Sequence, residues 1–175
     1  MASVDEIVAA LRARFPDLPV EPKPLLDDGQ PAQHFIRIEP ENLRAVLSFL
    51  RDDGRTRFDQ LSDLACVDYL DFPDARDRYG VVYSLLSTTF NHRLWVKCFV
   101  NDPEPKLPSV VSLWQAANWM EREAYDMFGV VFEGHPDLRR ILTWDGFEAH
   151  PLRKDYPLHG KGERQNFEVV KRDSA

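Results

Sequence analysis

Two β-prone stretches separated by a short connection constrain the fold most. Tyr79–Ser87 is rich in Val, Tyr and Leu. In Leu94–Val100, the residues Leu94, Val96, Cys98 and Val100 share one side, against Trp95, Lys97 and Phe99 on the other. Alternation of this kind marks a strand with one buried face. The intervening T-T-F-N-H-R is short enough for a hairpin. A third strand is expected within Leu61–Leu70, before the polar loop Asp71–Arg78, and a fourth at Gln33–Ile38. A sheet with one apolar face needs a second layer to cover it.

That layer is legible as helices. Ser3 as N-cap and Glu6 three residues on form a capping box, followed by Val4, Ile7, Val8 and Leu11 on one face and a stop before Pro16. Leu18–Pro31 reads as loop with at most a short strand. Pro40 suits the first turn of a second helix, whose stripe is Leu43, Val46, Leu47 and Leu50 and whose end is Asp52-Asp53-Gly54. Asn101–Ser109, with three prolines, reads as irregular. Ser112 is expected to cap a third helix running from Leu113 to Phe128, with Leu113, Ala116, Ala117, Met120, Ala124, Met127 and Phe128 inward and Gly129 as its left-handed terminator. Val130–Phe132 is a short strand candidate. Helical periodicity ends at Gly134. The expected class is therefore α+β: two layers, helices on one face of a mainly antiparallel sheet, with a domain over residues 1–132 and an extended arm and tail over 133–175.

Composition narrows the function. A net charge of −7 argues against general nucleic-acid binding, which needs a basic footprint. No run approaches the roughly 20 apolar residues of a membrane span, and M-A-S-V-D-E-I lacks the basic and apolar regions of a secretory signal. The chain is thus expected in a cytoplasmic space, reaching a membrane only through partners. Cys66 and Cys98 stand alone, too few for a four-thiolate cluster or structural zinc. They read as buried apolar side chains without a disulfide.

The densest segment is Trp119–Leu158, which concentrates acids, bases, aromatics and two His-Pro pairs. On the third helix, Glu123 falls beside the apolar stripe and Glu121 on its other border. Arg122 faces solvent or a partner, and Asp126 reads as a solvated surface charge. A carboxylate at a core edge needs a cation. Arg139-Arg140 and Arg153-Lys154 lie downstream, so Glu123, with Glu121 or Asp126 as alternatives, is expected to pair with Arg139 or Arg140 and fold the arm back. His135, His150 and His159 read as hydrogen-bonded structural residues rather than metal ligands. No nucleophile elbow, P-loop or dinucleotide fingerprint accompanies them.

The segment closely resembles the signature of the 30-kDa subunit family of respiratory complex I, which has bacterial NADH-quinone oxidoreductase members. The matching positions are Glu121-Arg122-Glu123, Asp126, Met127-Phe128, His135, Arg139 and Ile141-Leu142. The continuation Gly146–Leu158 also resembles the family, with Ala149 where Gly is usual, as do Leu61–Leu70, Val81–Ser87 and Leu94–Val100. The resemblance implies a non-catalytic subunit in the peripheral arm of the proton-translocating NADH:quinone oxidoreductase. It implies that FMN, iron–sulfur clusters and quinone are held by other subunits, and none by this chain. The implied partners are the large quinone-site subunit and the cluster-bearing subunits, at the cytoplasmic side of the inner membrane. Expected docking residues are His135, Arg139, Trp144, His150, Arg153, Lys154 and Tyr156. Competing readings are the homologous subunit of a membrane-bound hydrogenase-type complex, a free-standing hydrolase using Glu121, Glu123 and His135, and an adaptor for an unrelated partner.

Overall fold

The computed structural model describes residues 4–16, 22–24 and 34–162. In chain order the elements are α1 (Val4–Arg14), β1 (Pro22–Pro24), β2 (His34–Ile38), α2 (Pro40–Asp52), β3 (Gln60–Asp68), β4 (Tyr79–Ser87), β5 (His92–Val100), β6 (Lys106–Pro108), α3 (Ala117–Phe128) and β7 (Val131–Glu133). The expected Ser3 cap lies outside the described residues.

β4 and β5 form the expected antiparallel hairpin, with Tyr79 opposite Val100 and Ser87 opposite His92. Asn91 takes the left-handed turn position (φ 50°), a conformation its short polar side chain tolerates. The sheet order is β1-β2-β5-β4-β3. Only the β2–β5 pair is parallel, because α2 carries the chain back across the sheet between β2 and β3. A register shift between Leu61 and Asp63 marks a bulge at Ser62 in the edge strand β3.

Alternation puts Ile36, Ile38, Leu61, Leu64, Tyr79, Val81, Tyr83, Leu85, Leu94, Val96, Cys98 and Val100 on one face. There they join Ile7, Val8 and Leu11 of α1, the α2 stripe, and Ala117 and Ala124 of α3 in one apolar cluster. Each fully buried aliphatic side chain contributes about 1.5–3 kcal/mol, so this cluster is the main source of the body's stability. On the opposite face, where no helix lies among the described residues, cations lie over rings: Arg37 is 4.5 Å from the Phe99 centroid and Lys97 4.2 Å from that of Phe35. Cys66 and Cys98 share the inner face but flank Val81 in register. Two strand spacings of about 4.8 Å each exceed the roughly 7 Å that a disulfide spans, and both thiols are free.

Two expectations fail here. Residues 101–109 are not wholly irregular, because Lys106–Pro108 pairs in parallel with Val131–Glu133 as a separate two-stranded sheet. α3 begins at Ala117 rather than Leu113. The preceding residues form turns (Leu113 N–H to Val110 C=O 2.9 Å, Ala117 N–H to Trp114 C=O 3.0 Å). They are held by tertiary bonds that a local pattern does not contain. Trp114 donates to the Phe58 carbonyl at 3.3 Å and Arg51 to the Leu113 carbonyl at 3.1 Å. Ser112 Oγ, the expected cap, instead accepts from Arg44 at 3.2 Å.

Candidate functional site: the third helix and the arm folded onto it

α3 turns three charged side chains inward and one outward. Glu121 and Asp126 are fully buried and Arg122 nearly so, whereas Glu123 is exposed. Glu123 therefore does not tie down the arm, since no ion pair among the described residues includes it. Arg122 does not face solvent, and Asp126 is not a surface charge. The helical spacing put these residues at the edges of the stripe, and only the arm lying over α3 decides which edge is covered.

Asp126 is the centre of the contact. Its Oδ2 accepts the backbone N–H groups of Ile141 (3.0 Å), Leu142 (2.7 Å) and Thr143 (2.9 Å). Its Oδ1 accepts from Arg140 Nη1 at 2.8 Å and from the Thr143 hydroxyl. Burial disfavours the charge, but the Thr143 hydroxyl and the three amides overcome it and hold the carboxyl far below the usual range. The expected fold-back is thus real, with Asp126 and Arg140 as the pair. Arg139 is exposed and, among the described residues, its ion pair is with Asp137, at 3.0 Å. Arg122 holds the same stretch by its backbone, donating to the carbonyls of Arg139 (3.1 Å) and Arg140 (3.2 Å).

Next along, the arm caps the helix. The last carbonyls of an α-helix have no partner within it. Here the Asp126 carbonyl accepts from His150 Nδ1 (2.9 Å), Met127 from the Leu152 N–H (3.1 Å) and Phe128 from Arg153 Nε (2.6 Å). A carbonyl only accepts, so His150 carries its proton on Nδ1. Burial pushes its pKa down, aided by the Arg153 and Arg140 guanidiniums, so the ring stays neutral. Gly129 ends α3 at φ +80°. A Cβ there would sit 2.5 Å from Arg153 Nη2 and 2.6 Å from His150 Nε2, so the residue gives both the turn and the room for the caps.

His135 opens the arm with its imidazole turned inward. Nδ1 accepts the Asp137 N–H (3.0 Å), which leaves the proton on Nε2 to be donated to the Asn118 carbonyl (3.1 Å). Glu121 Oε2 lies 4.0 Å from Nε2. That carboxylate accepts from Ser109 Oγ and the Val110 N–H, both at 2.7 Å, and burial pushes its pKa up to about 7 against those two bonds. Glu121 and His135 meet without exposed surface and Glu123 points away, so the three-residue hydrolytic arrangement does not form.

Sequence reasoning missed the far anchor. The Lys154 N–H donates to Asp68 Oδ2 at 2.9 Å. Arg78 bridges Asp68 (3.3 Å), Asp155 (2.7 Å) and Asp102. Asp68 and Lys154 are 86 residues apart, so no local motif connects them. Between the anchors, Phe147 is sandwiched by Trp144 (centroids 4.8 Å) and Tyr156 (5.9 Å). Among the described residues no cluster of three or more His, Cys, Asp or Glu could hold a metal, and no helix is long and apolar enough to cross a membrane.

The family model for the 30 Kd subunit of respiratory-chain NADH dehydrogenase matches residues 36–162, which takes in β3–β5, α2, α3 and the described part of the arm. The chain belongs to that family. Within the matched region, Asp126 is the carboxylate that receives the arm, Arg122 grips the arm's backbone, and Glu121 fixes the turn before α3.

Relatives in the family carry consistent names. NADH-ubiquinone oxidoreductase subunit 9 of Reclinomonas americana is 50% identical over 125 residues, 71% of this chain and 59% of that protein. An NADH-quinone oxidoreductase subunit of Hyphomonas neptunium is 51% identical over 134 residues, 77% of this chain and 64% of that protein. The chain thus spans about three fifths of the length of these two relatives. Among solved structures, a trypsin-resistant fragment of Nqo5 superposes with a TM-score of 0.64 at 34% identity, covering 77% of this chain and 98% of the fragment. A chain of an archaeal membrane-bound sulfane sulfur reductase superposes with a TM-score of 0.72 over 96% of this chain and 93% of its own, at 22% identity, which is a likeness of fold alone.

Proposed function

We propose that the chain is a structural and assembly subunit in the peripheral arm of a proton-translocating NADH:quinone oxidoreductase, with no catalytic group of its own. Its body, residues 1–132, positions a docking arm, residues 133–175. The partners are the large quinone-site subunit and the subunits that carry the terminal clusters. FMN, iron–sulfur clusters and quinone belong to those other chains, and the complex holds this chain at the cytoplasmic side of the inner membrane.

One observation supports this reading most. Apart from Trp119 on α3, the exposed large apolar side chains among the described residues lie on the arm and on the corner where it returns: Leu142, Trp144, Leu152 and Leu158, with Val67, Leu70 and Phe72. Clustered exposure of this kind marks an interaction surface. Cys66, Val67, Tyr69, Phe72, Phe128 and Leu152 line a cleft of about 580 Å³ at that corner. The docking side chains are then Arg139, Trp144, Lys154 and Tyr156 with these apolar neighbours, while His135, His150 and Arg153 hold the arm in shape.

The test is purification of the complex from membranes through a tag on this chain. Flavin- and cluster-containing subunits with NADH:quinone activity are expected. Leu142→Asp with Trp144→Ala should reduce recovered complex severalfold and leave turnover per complex unchanged. Normal assembly with collapsed turnover would refute the scaffold role. The second reading is the homologous subunit of a membrane-bound hydrogenase-type or related complex. Recovery of a sulfur- or hydrogen-linked catalytic subunit instead of the NADH-oxidising flavin subunit would favour it.

A further inference from the structure

The arm is attached to the body by a different kind of interaction from the one that holds the body together. The body is one apolar cluster. Of residues 135–162, Phe147 alone is a buried apolar side chain, and Leu138 sits at the cluster's margin. The other contacts that fix the arm are mainly polar: the Asp126 carboxylate, the two Arg122 bonds, the three carbonyls at the end of α3, and the Asp68–Arg78 corner, with the Tyr125–His150 ring contact beside them. Exchanging such bonds for bonds to water costs far less than exposing a core. Segments with few buried apolar contacts open below the free energy of global unfolding, as units. At the arm's base, Gly134 has φ +81° and nothing within 4 Å of where a Cβ would sit; glycine is the residue that takes up such backbone angles, and changes in them, at least steric cost.

We propose that residues 135–156 form a strap that swings off α3 as one unit about Gly134 while the body stays folded, with Asp126 as its latch. Three successive amides, a guanidinium and a hydroxyl converge from the strap on this one carboxylate. Successive N–H groups in that arrangement make an anion-binding nest. The strap therefore carries a carboxylate receptor, and the body carries its ligand. Closure is reading of the Asp126 carboxylate by the 140–143 loop. It concerns the free chain, so it stands or falls separately from the docking surface.

Hydrogen exchange of the full chain, read by peptide, tests this. In the wild type, strap amides should exchange faster than those of β4 and β5; equal rates would refute a separate unit. In Asp126→Ala, strap exchange should rise roughly ten- to a hundredfold, the range expected for losing charge-assisted bonds, with β4 and β5 unchanged. Added formate should then restore strap protection by refilling the nest, and chloride at equal ionic strength should not. Strap and body rising together would overturn the separate hinge. An unchanged strap, or no response to formate, would overturn the latch. If Asp126→Ala does not fold, Thr143→Val and Arg140→Gln each remove one latch donor; strap exchange should rise with β4 and β5 unchanged, and an unchanged strap in both would overturn the latch, formate having no vacant nest to fill while Asp126 is present.

Discussion

At the scale of single residues, the charges of α3 separate by what covers them. Glu121 gives a pH signature. Its pKa rises from an ordinary 4.5 to about 7 in the fold, so the fold prefers it protonated. A raised folded pKa contributes stability in full below the unfolded value, and that contribution is lost as pH climbs through the folded value. Wild-type stability should therefore decline between about pH 4.5 and 7 on this group's account. Glu121→Gln, neutral throughout, should flatten that slope and gain on the wild type by on the order of 3 kcal/mol at pH 8. Thermal melts of both proteins at pH 4.5 and 8 check it; parallel profiles would rule it out. The carboxylates were visible in the sequence as residues at the edge of an apolar stripe. Which one pairs was not visible, because helical spacing fixes an angle around the axis and says nothing about what packs at that angle. Glu123 and Asp126 differ in fate for that reason alone.

At the scale of elements, the end of α3 is where strand, helix and arm meet. Gly129→Ala places a methyl against Arg153 and His150 and strains a backbone at φ +80°. The strain costs about 1–2 kcal/mol, and displacing two caps adds about 1 kcal/mol each. A loss of roughly 3–4 kcal/mol in chemical denaturation is expected, with faster trypsin cleavage after Arg153 or Lys154 than in the wild type. A midpoint shift without increased cleavage would place the damage in the helix instead. The terminator role of Gly129 was legible, since glycine after a periodic helix has a local cause. The true start of α3 was not. Ser112 had the right spacing for a cap, but Arg44, Arg51 and the Phe58 carbonyl take up the polar groups of that turn. β7 was legible as the candidate at Val130–Phe132, but β6 and the pairing were not, because a three-residue strand among prolines carries too little periodicity to stand out and its partner lies 25 residues away.

At the scale of the whole molecule, the body and the arm differ in what binds them. A chain truncated after Glu133 keeps nearly the whole apolar cluster. It should remain folded with one cooperative transition at a lower midpoint, yet fail to recover the complex in a tagged purification. Loss of cooperative folding on truncation would mean that the arm is part of the body's core. The sequence by itself determined the sheet's inner face, the hairpin, the α2 stripe and the end of α3. Each follows from periodicity and terminators within a window of ten or so residues, where burial and backbone geometry act locally. Only the tertiary structure decided that Asp126 is the latch, that Arg78 joins three distant aspartates, and that Arg122 is buried. These are polar contacts between segments far apart in the chain. A carboxylate's partner is set by whichever donors the fold delivers within about 3 Å, and no local pattern encodes that delivery.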